Sequence, residues 1–195
     1  MRTLRIIFAS ISVSLLASQG LNGRETALKT NLLYDATATV NLGFEQAVAP
    51  KWSIDLSANL NAWNMRDGAR WKHWLVQPEA RYWFCQALDG HFLAAHLVGG
   101  QYNIGSWTDG GLWGIKSSDL AANRYQGWFA GVGVGYGYQW VLGRHWNLEA
   151  EIAVGYVFTR YDRFECKDCG REVESNHNRN YVGPTKAALS LVYVF

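Results

Sequence analysis

Two cysteines stand three positions apart in Cys166-Lys-Asp-Cys169-Gly, the spacing that serves zinc knuckles, dithiol redox centres and short disulfide loops alike. A zinc ion would take two further ligands, and only His177 is near, flanked by Asn176 and Asn178 instead of a second cysteine pair. If the chain is exported, this segment meets an oxidising compartment, where a loop-closing disulfide between Cys166 and Cys169 is the plainer chemistry. Cys166, Cys169 and His177 are thus weak metal candidates, Cys166 and Cys169 a disulfide candidate, and no cofactor is expected. Cys85 lies apart and reads as a free thiol.

Glu149 and Glu151 occupy alternate positions, so on a strand both carboxylates point the same way. They are either a structural charge pair or a catalytic pair, and no neighbouring motif supplies a substrate pocket for the second. The five histidines are scattered, and no His-Glu-x-x-His, Gly-x-Ser-x-Gly or phosphate-loop pattern is present. The run from Gly131 to Gly137 resembles a dinucleotide loop only superficially: Tyr136 stands where a third glycine is required, and the pattern continues as a strand. No catalytic residue is assigned. Trp107 and Trp113, in a Gly-rich segment over residues 105–114, are candidates for binding a sugar, a peptide or a protein surface, or for packing that loop onto its support.

The elements that must carry these residues begin with an N-terminus of signal-peptide form. Arg2 and Arg5 precede an apolar run over residues 6–17, and small residues follow at Ala17, Ser18 and Gly20. The run is shorter than the ~20 residues of a spanning helix. Residues 1–20, give or take a few, are therefore expected to be a cleaved signal, and residues 21–195 a single domain. Losing Arg2 and Arg5 brings the balance of 18 basic and 16 acidic residues to near neutrality, which gives no argument for nucleic acid as partner.

With 10 Trp, 10 Tyr, 8 Phe and 20 Gly, the chain favours strands with closely packed backbones. Residues 125–143 are uncharged and long enough to span a bilayer as a helix, but glycines at 127, 131, 133, 135 and 137 alternate with bulky residues, which is a strand period. About eight alternating segments are legible: 28–36, 41–48, 52–62, 73–84, 91–103, 125–143, 146–161 and 185–195. The faces of 91–103 are mixed and stay unassigned. Links near 49–51, 85–90 and 143–145 are short, and those over 64–72, 104–124 and 162–183 are long. The expected fold is all-β: an antiparallel up-and-down transmembrane barrel of about eight strands, with short periplasmic turns and longer outer loops.

Trp52, Phe84, Trp140, Trp146 and Tyr193 fall beside the short turns, and Tyr34, Trp74, Trp128 and Phe158 toward the long loops, as two interfacial girdles would. The opposite face would fill a narrow lumen with Lys29, Glu45, Asp55, Glu79, Arg81, Glu149, Glu151 and Lys186 as an ion-pair network. Leu191, Tyr193 and the terminal Phe195 form an outward apolar row of the kind the outer-membrane insertion machinery reads. Localisation in the cell outer membrane follows, with both mature termini periplasmic.

The signal peptide, Lys29-Thr-Asn-Leu-Leu-Tyr-Asp35, Trp52-Ser-Ile-Asp-Leu56, Gln77-Pro-Glu-Ala-Arg-Tyr-Trp83 and Gly133-Val-Gly-Tyr-Gly-Tyr138 resemble small Bacteroidetes outer-membrane proteins of domain-of-unknown-function family 3575. The resemblance implies location and fold, carries no catalytic residues, and suggests a surface-accessory role. The expected function is a non-enzymatic surface barrel that binds a partner or supports assembly through its outer loops. Its expected partners are outer-membrane lipid, the insertion machinery, and a surface protein or glycan. The alternatives are a narrow channel for a small solute or ion, a small outer-membrane enzyme acting on lipid or peptide, and a soluble ligand-cup barrel.

Overall fold

A computed structural model describes residues 25–63, 70–105, 117–165 and 172–195. Eight antiparallel strands follow one another around a closed barrel. They are β1 (Thr26–Asn31), β2 (Val40–Ala49), β3 (Trp52–Asn61), β4 (Arg70–Trp83), β5 (Gly90–Gly105), β6 (Asn123–Val141), β7 (Trp146–Glu165) and β8 (Glu172–Val194). Two short helices, α1 (Leu32–Ala36) and α2 (Ser117–Ala122), lie in links at one end. Closure comes from β1 pairing with β8, Ala27 opposite Val194 and Asn31 opposite Ser190. No helix of the described residues is long and apolar enough to cross a membrane.

Period-two burial explains why these segments are strands. On β3, Ser53, Asp55, Asn59 and Asn61 are buried inside while Trp52, Ile54, Leu56 and Leu60 are exposed outside. Gly127, Gly131, Gly133, Gly135 and Gly137 of β6 share the inward face, and Trp128, Val132, Val134, Tyr136 and Trp140 face out. A Cβ on Gly137 would stand 2.2 Å from the Phe92 ring, and one on Gly127 2.3 Å from the Arg160 carbonyl. At these positions the inner wall is too close for any larger residue.

Three segments depart from the sequence expectation. The first strand ends at Asn31, whose Oδ1 accepts the Leu33 N–H at 3.1 Å and starts α1, an N-cap that competes with further extension. Tyr34 therefore sits in a helical turn, half-buried, and lines the lumen instead of joining an outer aromatic row. The mixed 91–103 segment resolves into an inward row of Phe92, Ala94, His96, Val98, Tyr102 and Ile104 against an outward row with Leu93 and Leu97. Both rows are largely apolar, which is why alternation was faint. The last long loop is largely strand: β7 and β8 continue as a paired hairpin out to Phe164 opposite Glu172.

Two prolines mark irregularities in the wall. The β4–β5 ladder lapses at Gln77 and Pro78, between Val76 opposite Gly99 and Glu79 opposite His96, since proline has no N–H to donate. Beside Pro184, the β7–β8 register shifts so that Ala153 faces Lys186 and Val154 faces Pro184. The extra residue is Thr185.

Candidate functional site

The lumen is built in three layers. At the short-turn end, Trp83 and Phe92 lie 4.6 Å apart between ring centroids, among Ala27, Ala47, Ala94, Val192 and Val194. The link between β4 and β5 tucks Ala87 and Leu88 into this cluster, and Gln139 Nε2 donates to the Leu88 carbonyl at 2.9 Å. Leu88 takes a left-handed backbone, φ 67°, which costs energy for a non-glycine residue and is repaid here by the buried leucine.

The middle layer brings all eight sequence-predicted lumen residues together. Arg81, 1 % exposed, sends Nε to Glu79 at 2.6 Å, Nη1 to Glu45 at 3.0 Å and Glu149 at 2.7 Å, and Nη2 to Glu151 at 2.8 Å. One planar guanidinium, with five donors in a fixed fork, thus serves four carboxylates from three strands. Lys29 Nζ pairs with Glu45, with Asp55 at 3.1 Å and with Glu149 at 3.2 Å. Lys186 Nζ reaches Glu79 at 2.8 Å and Glu151 at 2.9 Å. The Arg81 guanidinium also stacks 4.4 Å from the Phe92 ring, tying the ionic layer to the apolar one below.

Sequence reasoning missed two residues that touch this layer, Trp83 and His96. Ser53 Oγ donates to Glu45 and accepts from Trp83 Nε1 at 2.8 Å. Trp83 simply continues the inward register of Gln77, Glu79 and Arg81, so its signal was available. His96 Nδ1 lies 3.7 Å from Glu79; only the obscured period of β5 hid it.

Above lies a second apolar layer of Val98, Tyr102, Ile104, Tyr125, Phe129, Val157 and Tyr161, with Leu120 of α2 fully buried in it. The Tyr102 and Thr159 hydroxyls meet at 2.8 Å. A cavity of about 190 Å³ remains between this layer and the ions, lined by Tyr34, His73, Gln77 and Thr185 among apolar neighbours. Burial holds the Tyr34 phenol above its ordinary pKa, against the opposing Lys186 ammonium.

Chemically, Glu149 and Glu151 are both held by cations, the arrangement of a plug more than of an acid–base pair facing a substrate. Among the described residues no group of three or more His, Cys, Asp or Glu side chains is placed to hold a metal ion. His177 is exposed on β8, its ring tilted 58° to that of Tyr161 with centroids 5.5 Å apart. Cys166, Cys169, Trp107 and Trp113, with the expected signal segment, lie outside the described residues. Cys85 is free and exposed. Leu191 and Tyr193 face outward on β8, and the terminal Phe195, 62 % exposed, donates its N–H to Thr26 at 2.9 Å.

Neither a curated protein nor a solved structure matches this chain. A family model described as a protein of unknown function, DUF3575, matches residues 6–195. The match covers every residue of the barrel just described and nearly the whole chain, and the chain belongs to the DUF3575 family.

Proposed function

We propose that this is a non-enzymatic outer-membrane barrel, exported through a cleaved signal, whose long-loop end carries an accessory or binding role at the surface of a Bacteroidetes cell. One observation carries the membrane reading. The outward positions of β3 to β7 hold no charged residue between an aromatic row at Trp52, Phe84, Trp140 and Trp146 and a second at Trp74, Trp128 and Phe158, while ions fill the inside. Trp74 and Phe84 are ten residues apart on one outward face; that is about 33 Å of strand and about 25 Å along the axis at a tilt of ~40°, the height of an outer-membrane apolar band. Side chains such as Ile152, 71 % exposed, and Val134, 62 % exposed, then face acyl chains instead of water.

The filled lumen favours a binding role over conduction, because the ionic layer is closed by apolar layers on both sides. Binding is left to the long-loop end, where Leu120 of α2 anchors the β5–β6 link into the barrel mouth. Separation of cell membranes tests the location: the chain is expected with the outer membrane and to migrate faster on a gel when unheated, and recovery in the soluble periplasm would refute it. Deletion of residues 106–116 tests the role. Loss of the surface phenotype with the barrel still inserted is expected, and an unchanged phenotype would count against the loops.

A further inference from the structure

On the outward face, the register stacks β4 to β7 in rows. One row in from the long-loop rim, where Arg70, Gly105, Arg124 and Phe164 align, Lys72, Asn103, Gln126 and Asp162 lie side by side, and the next row is Trp74, Gln101, Trp128 and Arg160. Together these rows line a cleft of about 510 Å³. Directly below, Gly99 and Ala130 floor a groove of about 480 Å³ with walls from Pro78, Leu97, Val132 and Tyr156. Gln101 to Gly99 and Trp128 to Ala130 are single outward steps along β5 and β6, about 7 Å, so the cleft opens straight into the groove.

The two cavities differ in chemistry as the two halves of an amphiphile do. The upper one presents amides, two tryptophans and the cations Lys72 and Arg160, neither of which has an ion-pair partner among the described residues. Asn103 Oδ1 is buried there with no protein partner. Asp162, the one acid of these rows, is engaged by the Asn176 N–H at 2.8 Å. The lower groove is lined by apolar residues and by Tyr156, whose hydroxyl donates to Asn180 Oδ1 at 2.8 Å. Gly99 is not required there by crowding: a Cβ on it would meet nothing closer than 3.8 Å, whereas one on neighbouring Gly100 would stand 2.1 Å from the Trp74 carbonyl. A larger residue would fit at Gly99 and fill the groove.

We infer that this wall binds one phosphorylated glycolipid of the surrounding leaflet. Lys72 and Arg160 hold the phosphate, the amides of Gln101, Asn103 and Gln126 take the sugar hydroxyls, and an acyl chain lies in the groove over Gly99 and Ala130. Amides pair with hydroxyls as both donor and acceptor, and guanidinium and ammonium are the side chains suited to phosphate. The inference rests on the membrane reading above.

The test is native mass spectrometry of the folded barrel released from neutral-detergent micelles after addition of diphosphorylated lipid A, with unheated gel migration confirming that each variant is folded. The native chain is expected to keep one lipid. Lys72→Ala with Arg160→Ala should weaken retention at least tenfold, as should Gly99→Leu with Ala130→Leu, which fills the groove and leaves the charges intact. Dephosphorylated lipid A should bind the native chain at least tenfold more weakly. Equal retention with and without the two cations would overturn the proposal, as would equal binding of phosphatidylglycerol or saturation by free glucosamine phosphate. A chain that is soluble without detergent would instead overturn the membrane reading and this site with it.

Discussion

Arg81 shows how a single residue can hold a barrel closed. Its guanidinium is buried against Glu45, Glu79, Glu149 and Glu151, and removing one partner of a buried ion cluster leaves uncompensated charge. Arg81→Ala should therefore destabilise the folded barrel by about 3–5 kcal/mol, seen as a lower urea midpoint for loss of the compact gel form; an unchanged midpoint would contradict the network. The eight charged lumen residues were legible in the sequence because each lies on a strand whose opposite face is plainly apolar. His96 was not, because Leu93, Ala95 and Leu97 alternate with residues almost as apolar as themselves. The inward apolar layers erase the contrast that reveals a strand's facing.

At the scale of elements, the least legible parts were those whose order comes from something other than burial. The outer half of the β7–β8 hairpin, with Asn176, His177, Asn178 and Asn180, has no apolar alternation to announce it, yet its backbone pairs to Glu172. α1 replaces the end of a strand because of one side-chain cap at Asn31. The wall glycines of β6, in contrast, could be read from their alternate spacing, whereas the adjacent pair Gly99 and Gly100 of β5 could not, and that pair allows a sharp comparison. Gly100→Ala should lower the folded yield in micelles severely, since its methyl would meet backbone at 2.1 Å, whereas Gly99→Ala should fold as the native chain does. Equal yields for the two would contradict the inward and outward assignment of β5. The closing strand carries its own expectation: Phe195→Ser should reduce the outer-membrane yield while leaving micellar refolding intact, because Phe195 is exposed and contributes little to the interior.

The whole molecule is an inverted protein, ionic in its middle and apolar on its outer wall, with the lumen closed by Trp83, Phe92 and Leu88 at one end and by Phe129, Tyr102 and Leu120 at the other. Reconstituted into a planar bilayer, it should be electrically silent, and so should Glu149→Ala, because both apolar layers survive that change; steady unitary currents would contradict a filled lumen. The central claim, that the outward face of these strands meets hydrocarbon, is tested most directly by fluorescence quenching from brominated acyl chains. A label at Ile152→Cys, in a chain otherwise freed of cysteine and inserted into vesicles, should be strongly quenched, and a label at Asp89→Cys, on the exposed short-turn link, should not. Equal, weak quenching at both positions would show that the apolar wall faces something other than lipid.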